Sequence, residues 1–509
     1  MGGTYTDATT SRYGQDQYVY KLGENGEPVS VYAADLTTVE GGTPTSESAA
    51  VRSSPTGLAA IGDDVFVAGA YYGKLTFPNA KTGGNIELVN GDSNYDLWVA
   101  KLDMSTTPPS ARWAVSTNLT AKLNGRGIAA TAEGHVLTFA DIKGGSVTKF
   151  SGIDGAIVWE KTFKDIGTFR DGKMSTSGEK LYMTGTFKGK DSTTYAPALA
   201  TMTSCDDGEK ISAVVAEFDV NATDGPVAKW VTNIGCGGSS RGAKGTFVEG
   251  NYLYVVGELS AASVVPHHAD STVAACTMDG QLGGFLVKLH KDNGLCVWAK
   301  DMGGTTRVVA NADFVWTEVS TDETFRFDAD HTFQPTSDQV LMGKFRALDG
   351  VGLWGTAVGG AGRDEATAMA MTPTGPVVTG YHRSDALTVG AVTATNLQNQ
   401  ANAANAGGAA PPYAMWAMKL ALTDAVPPCL TCADGADLAD GTITASKCYA
   451  DGQCIDSGSF STVNPCFQCD PDTAQTALTT VTVDHCFIDN KCVAKGSNAP
   501  AFRSYNTPR

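Results

Sequence analysis

The segment Lys344–Trp354 reads KFRALDGVGLW, and closely similar segments read KLHKDNGLCVW at Lys288–Trp298 and KFSGIDGAIVW at Lys149–Trp159. In all three, the lysine ends an apolar run and stands ten residues before a tryptophan. Looser copies, in which the spacing or a marker residue differs, begin at Lys21, Lys101, Glu217 and Lys419. Recurrence of one pattern at intervals of about 50 to 80 residues indicates a repeat architecture.

Each repeat predicts four short strands. The Asp-Gly or Asn-Gly pair between lysine and tryptophan predicts a hairpin, because type I′ turns need positive φ at both central residues. A second hairpin precedes it, for example Leu58–Ile61 and Val65–Gly69 around Gly62. Four strands repeated six to seven times, with Gly-rich turns and no amphipathic helical pattern, predict an all-β fold. We therefore expect a β-propeller of about seven blades, with six as the alternative, and tryptophans packed between blades.

Length and charge narrow the class of protein. The 509 residues are too many for one ordinary compact domain and fit a propeller with an appendage. The net charge of −17 argues against a nucleic-acid partner, whose phosphates need basic surfaces. No apolar run approaches the roughly 18 to 20 residues of a membrane span. The N-terminus lacks the apolar core of a signal peptide, so we expect this numbering to begin inside a longer precursor.

Eight of the twelve cysteines lie in a tandem repeat near the C-terminus. Both copies open with Pro-Cys-x-x-Cys and close with Cys-x5-Cys, and their members are Cys429, Cys432, Cys448, Cys454, then Cys466, Cys469, Cys486, Cys492. Paired C-x2-C motifs are compatible with zinc, whereas four cysteines in a short segment with little core are typical of a secreted disulfide scaffold. The wide second element favours disulfides, with three connectivities open in each copy. We predict a propeller over 1–425, Cys-rich repeats over 426–497 (429–465 and 466–497), and a tail over 498–509.

The remaining four cysteines occupy similar places in two successive repeats. We expect the pairs Cys205–Cys236 and Cys276–Cys296, each joining a long loop to its own blade. Asn118-Leu119-Thr120 and Asn221-Ala222-Thr223 are N-glycosylation sequons. Together with the cysteines, they favour an extracellular or cell-surface location.

Two parts of the chain resemble known families. Asp96–Asp103, which reads DLWVAKLD, and Asp16–Leu22 resemble the strands of bacterial-type β-propeller repeats, and the Gly-x3-Trp turns resemble the docking motif of quinoprotein propellers. Pro465–Pro471 and Cys448–Cys454 resemble EGF-like repeats. A propeller followed by such repeats resembles secreted structural proteins of heterokont algae, including those of tubular flagellar hairs (mastigonemes). This resemblance implies a structural protein of the cell surface.

No motif indicates a catalytic centre. The sequence has no Gly-x-Ser-x-Gly elbow, His-Glu-x-x-His pair or phosphate loop. His267-His268 with Asp270 reads as an exposed loop. Asp92-x-Asn94-x-Asp96 has the alternating oxygens of a calcium loop but lacks the following glycine and the distal acid, which favours an acidic turn. We therefore predict no cofactor, with structural Ca²⁺ as the alternative, and no enzymatic activity.

An arginine recurs between the aromatic end of one repeat and the first strand of the next. Because this connection lies on one face of a propeller, the arginines are candidates for the mouth of the central channel: Arg126, Arg170, Arg241, Arg307 and Arg363. One interpretation is a set of inter-blade salt bridges to acids such as Asp171, Asp364 and Glu365. The other is a binding site for an anion, a glycan acid or the acidic tail of a partner.

These observations favour a non-enzymatic extracellular structural or adhesive protein, a subunit of a cell-surface filament or matrix. We expect the propeller and the Cys-rich tail to make protein–protein contacts in a homo- or hetero-polymer, with glycans as further candidate partners. The alternative is a secreted propeller enzyme that acts on a glycan or redox substrate at the channel mouth.

Overall fold

The protein is seen in a computed structural model. It describes residues 2–4, 15–23, 28–37, 52–90, 96–117, 125–140, 146–162, 174–177, 180–187, 212–221, 225–236, 242–258, 276, 278, 283–304, 306–321, 325–327, 332–335, 337–360, 362–372, 375–382, 386–389, 392–395, 414–420 and the short strands between 430 and 494. These residues form β-strands and turns, with no α-helix among them. None of them forms a helix long and apolar enough to cross a membrane. The chain divides into two compact units, Met1–Lys419 and Leu420–Arg509.

The described strands of the larger unit form antiparallel sheets that are grouped here into seven blades, I to VII, with blades I and II joined in one eight-stranded sheet. Blade I consists of β1 (Gly2–Thr4), β2 (Gln15–Leu22) and β3 (Pro28–Thr37). Blade II consists of β4 (Arg52–Ile61), β5 (Asp64–Asn79), β6 (Gly84–Asn90), β7 (Asp96–Asp103) and β8 (Ser110–Thr117). Blade III consists of β9 (Gly125–Ala130), β10 (Val136–Ala140), β11 (Ser146–Phe150) and β12 (Ile157–Thr162). Blades IV and V consist of β13 (Met174–Ser177), β14 (Lys180–Phe187), β15 (Ser212–Asp219) and β16 (Val227–Cys236); then β17 (Ala243–Glu249), β18 (Tyr252–Glu258), β19 (Gly284–His290) and β20 (Cys296–Met302).

Blades VI and VII each carry an inserted hairpin. Blade VI has β21 (Arg307–Ala310), β22 (Phe314–Thr321), the hairpin β23 (Phe325–Arg326) and β24 (Thr332–Phe333), β25 (Gln339–Arg346) and β26 (Gly352–Val358). Blade VII has β27 (Asp364–Thr372), β28 (Gly375–His382), the hairpin β29 (Ala386–Val389) and β30 (Val392–Thr395), and β31 (Ala414–Lys419). The first strands β4, β9, β13, β17, β21 and β27 are neighbours in succession, as the innermost strands of a propeller are. The predicted β-propeller is confirmed.

The recurring lysine holds the same place in each blade. Lys101, Lys149, Lys288 and Lys344 lie on the third strand and pair across the hairpin with the tryptophan of the fourth, and Glu217 pairs with Trp230 in the same way. A register shift follows the lysine or glutamate in every case. Lys21 has the same shift on β2, and Lys419 lies on β31 beside β28. The predicted equivalence of the six lysines is therefore confirmed.

The two ends of the blades differ. The connections between first and second strands, and between third and fourth strands, are tight turns at one end, here called the turn face. The longer connections between second and third strands lie at the opposite end, here called the insertion face. They include β6, β23–β24 and β29–β30. Because strands alternate in direction, the links from one blade to the next also lie at the insertion face.

The described insertions pack against the outer part of the preceding blade. The second half of β5 pairs with β3 of blade I as well as with β6. Gly303 of blade V donates its N–H to the carbonyl oxygen of Arg326 in β23, at 2.7 Å. The hairpin strand β29 lies beside β26 of blade VI. Because blades diverge from the propeller axis, these segments fill the widening gaps and cover outer edges that would otherwise be open to pairing.

The insertion of blade V is held by a covalent bond. Cys276 and Cys296 are joined by a disulfide with a Cα–Cα distance of 6.2 Å, which is one of the two pairs expected from the sequence. Cys296 opens β20, the outermost strand of blade V, at the turn face. Cys205 and the side chain of Cys236 lie outside the described residues.

The described residues of the smaller unit form four two-stranded ladders. They are β32 (Leu430–Thr431) with β33 (Thr442–Ile443), β34 (Lys447–Ala450) with β35 (Gln453–Asp456), β36 (Phe467–Gln468) with β37 (Thr479–Thr480), and β38 (His485–Ile488) with β39 (Lys491–Ala494). The tandem repeat is visible in the register, where Tyr449 pairs with Cys454 just as Phe487 pairs with Cys492. The cysteine side chains of this unit lie outside the described part, so their disulfide bonding stays a prediction.

Candidate functional site

The recurring lysines and tryptophans fasten each blade to the next. Lys101 Nζ and Trp113 Nε1 both donate hydrogen bonds to the carbonyl oxygen of Gly152 in blade III, at 2.9 and 3.2 Å. Lys288 Nζ and Trp298 Nε1 donate in the same way to the carbonyl oxygen of Ala347 in blade VI, at 2.7 and 3.2 Å. Each acceptor stands three residues after the lysine of its own blade. These side chains are therefore structural.

Lys288 is also surrounded by aromatic rings. Its Nζ lies 3.8 Å from the ring centroid of Tyr252 and 5.5 Å from that of Tyr254. Burial lowers the pKa of Lys288, because the charged form loses its water shell. The ring faces and the Ala347 carbonyl replace part of that hydration.

Blade IV departs from the pattern because a glutamate replaces the lysine. Trp230 Nε1 donates to Glu217 Oε2 at 2.8 Å and to the carbonyl oxygen of Lys291 in blade V at 2.9 Å. Lys180 Nζ supplies the positive charge, 3.3 Å from Glu217 Oε1 and 2.8 Å from Asp292 Oδ1. Its hydrogen bond to Asp292 raises the pKa of Lys180, and the same bond lowers the pKa of Asp292.

Two of the predicted arginines meet in a cavity between blades VI and VII. The cavity has a volume of about 210 Å³ and lies at the starts of β21 and β27, on the insertion face. Its lining residues are Thr306, Arg307, Ser320, Asp338, Arg363, Asp364, Glu365 and Ala366. It brings together two of the residues that the sequence made candidates for the channel mouth.

Arg307 is held within its own blade. Its Nη1 lies 2.6 Å from Glu318 Oε2, and the Glu318 side chain is fully buried. Thr306 Oγ1 also contacts Glu318 Oε2 at 3.3 Å, and Ser320 Oγ donates to Glu318 Oε1 at 3.1 Å. The positive charge of Arg307 is therefore neutralised by Glu318, a buried carboxylate that does not line the cavity.

Arg363 links the two blades. Its Nε lies 3.2 Å from Asp338 Oδ2 of blade VI, and its Nη2 lies 3.4 Å from Glu365 Oε2 of blade VII. Tyr381 Oη donates a hydrogen bond to the same Glu365 oxygen. Asp364 Oδ2 accepts the N–H of Gly360 at 2.7 Å. Of these contacts, the Arg363–Asp338 ion pair joins two blades, as the salt-bridge interpretation expects, and carboxylates outnumber guanidinium groups among the lining residues.

Several predicted site residues lie outside the described part of the chain. These are Arg170, Arg241, Asn118, Asp92, Asn94, His267, His268 and the side chains of Arg126 and of the tail cysteines. Within the described ranges, no three His, Cys, Asp or Glu side chains are grouped as metal ligands would be. The arginine site and the structural Ca²⁺ alternative stay predictions.

Exposed aliphatic side chains on the turn face were not foreseen from the sequence. In the described part, the exposed large apolar residues other than Val89 stand within about four residues of a tight turn of the turn face. They are Tyr20, Val29, Val31, Leu58, Ile61, Ile153, Ile157, Val158, Val227, Leu348, Val351 and Leu353. Ile153 and Leu348 are 90% and 76% exposed, and both stand four residues after the recurring lysine. That shared position is the signal that could have revealed them.

No protein-family model and no curated protein matches the sequence. Similar solved structures include BamB from Moraxella catarrhalis, at 12% identity and a TM-score of 0.35, covering 68% of this chain and 90% of that chain. A europium-containing methanol dehydrogenase has 11% identity and a TM-score of 0.31, covering 68% and 67%. The β-propeller domain of the Trilobed protease from Pyrococcus furiosus has 10% identity and a TM-score of 0.31, covering 67% and 95%. Similarity at this level carries no argument about activity or partners.

Proposed function

We propose that this chain is a non-enzymatic extracellular structural or adhesive protein that assembles with further copies of itself through the turn face of its propeller. The Cys-rich unit provides a second contact region. The disulfide between Cys276 and Cys296 supports an oxidising, secretory compartment, because such bonds are rare in a reducing cytosol.

The observation that carries the proposal is the aliphatic character of the turn face. Single exposed apolar residues are common on protein surfaces and need no explanation. Here, however, Ile153 and Val158 in blade III recur as Leu348 and Leu353 in blade VI, four and nine residues after the lysine of each blade. Repeated groups of exposed aliphatic side chains at matching positions are typical of surfaces that bind other proteins.

The proposal is tested by removing the two most exposed members. In the double variant Ile153→Ser, Leu348→Ser the chain should stay folded, because exposed substitutions away from caps and cores change stability little. We expect electron microscopy and analytical ultracentrifugation to show assemblies for the wild-type chain and single particles for the double variant.

Val89→Ser provides the matched control. Val89 is 58% exposed but lies at the end of β6, away from the turn face, so this variant should assemble like the wild type. Wild-type protein that stays monomeric at all concentrations, or a double variant that assembles normally, would contradict the proposal.

A further inference from the structure

Asn221 occupies an exposed position at the turn face of blade IV. It stands two residues after the end of β15, and its backbone N–H donates to Asp219 Oδ1 at 3.0 Å. The residue is exposed, and the sequence continues Ala222-Thr223, which completes an Asn-x-Thr sequon. We infer that Asn221 carries an N-linked glycan, an inference that rests on the extracellular placement in the proposed function.

The orientation of the Asn221 amide suits this modification. Lys149 Nζ of blade III lies 3.4 Å from Asn221 Oδ1 and 3.3 Å from the carbonyl oxygen of Val220. Because an ammonium group only donates hydrogen bonds, it must face the oxygen of the amide. Asn221 Nδ2, the atom that is glycosylated, is therefore directed away from Lys149, and a glycan on it leaves the contact with Lys149 intact.

The chemistry requires a donor that the secretory pathway supplies, an oligosaccharide linked to a lipid pyrophosphate. Asn221 Nδ2 attacks the anomeric carbon of that sugar. The new N–C bond forms as the C–O bond to the pyrophosphate breaks, the lipid pyrophosphate leaves, and one amide proton is lost to a base. No atom changes its oxidation level. The Cys276–Cys296 disulfide is consistent with passage through the same compartment.

The glycan has a structural consequence at the junction of blades III and IV. Lys149 is paired across the β11–β12 hairpin with Trp159, and the residues just before that tryptophan are the exposed Ile157 and Val158. Val227, also exposed, begins the strand that follows the Asn221 turn. A bulky, solvated glycan on Asn221 shields this part of the turn face and leaves the matching residues of blade VI uncovered.

Two substitutions at Thr223 test the inference without touching Asn221. Thr223→Ala destroys the sequon, whereas Thr223→Ser preserves it. The full chain is expressed behind a secretory leader in eukaryotic cells, and the peptide that contains Asn221 is analysed by mass spectrometry before and after peptide-N-glycosidase treatment. We expect glycan mass on Asn221 in wild type and Thr223→Ser, and its complete loss in Thr223→Ala.

Mass spectrometry is applied to both secreted and cell-retained protein. A formed Cys276–Cys296 disulfide identifies the chains that entered the secretory pathway. Unmodified Asn221 in those chains overturns the inference, even where Asn118 is modified. Thr223→Ala should assemble more extensively than Thr223→Ser, and equal assembly would overturn the shielding role. A glycosylated chain that never assembles would instead contradict the proposed function and leave the modification standing.

Discussion

At the scale of single residues, the joint between blades depends on a glycine with positive φ. Gly155, Gly294 and Gly350 have φ values of 77°, 70° and 72°. A Cβ atom at these glycines would lie 2.7, 2.5 and 2.9 Å from Cε3 of the tryptophan in the preceding blade. The turn therefore needs glycine for two separate reasons, the left-handed backbone and the approach of an indole ring.

Gly294→Ala separates these two reasons when it is compared with Gly62→Ala. Gly62 has a φ of 58° and open space where a Cβ would lie, so its substitution costs only backbone strain, about 1 kcal/mol. Gly294→Ala must also displace Trp230, and we expect a loss of about 2 to 4 kcal/mol in the free energy of unfolding. Urea denaturation measures both variants, and equal losses would show that the contact with the indole ring is unimportant.

At the scale of elements, the sequence predicted the hairpins well and the insertions poorly. The hairpin between lysine and tryptophan follows from the Asp-Gly or Asn-Gly pair, so one repeat is enough to predict it. The turn is longer than the predicted two-residue type I′ turn, because Ser151 donates its N–H to the carbonyl oxygen of Ala156 and closes a four-residue loop. The packing of β23 does not follow from local signals, because Phe327 fits beside Gly343 and Gly355, two glycines on different strands. The cavity itself was not predicted: the sequence drew attention to Arg307, Arg363, Asp364 and Glu365, but not to Asp338 or Ser320, which also line it.

The stability that the Lys180–Asp292 ion pair contributes to the junction of blades IV and V should decrease in acid. The pKa of Asp292 is lowered in the folded chain, so its contribution to stability is present above the ordinary carboxyl pKa of about 4 and is lost as the pH falls through the folded value. Lys180→Met should therefore lower the melting temperature at pH 7 and have a clearly smaller effect at pH 2. The exposed Lys81→Met is the control, with little effect at either pH. An equal loss for Lys180→Met at both pH values would contradict this role.

At the scale of the whole molecule, the net charge opposes the association of copies of the chain, whereas the exposed apolar surface favours it. The net charge of −17 makes copies of the chain repel one another, while the aliphatic turn face favours their contact. Salt shortens the range of the repulsion, from about 30 Å at 0.01 M to about 8 Å at 0.15 M, and does not weaken burial of aliphatic side chains.

Assembly should therefore increase with ionic strength. Light scattering at fixed protein concentration should show larger particles at 0.15 M than at 0.01 M sodium chloride, and the Ile153→Ser, Leu348→Ser variant should show no such increase. Particles that dissociate as salt is added would indicate that ion pairs, rather than aliphatic contacts, hold the copies together.

The exchange of lysine for glutamate at position 217 also bears on how the chain folds. A protein built from similar units is prone to dock a unit on the wrong neighbour as it emerges during synthesis. Lys101, Lys149 and Lys288 each donate a hydrogen bond to a backbone carbonyl oxygen of the following blade, a contact that does not depend on the side chain there. Glu217 instead requires Lys180 beside it, and Lys180 in turn binds Asp292 of blade V. Blade IV thus recognises blade V by side-chain charge. This contact disfavours docking of blade IV on any other blade during folding.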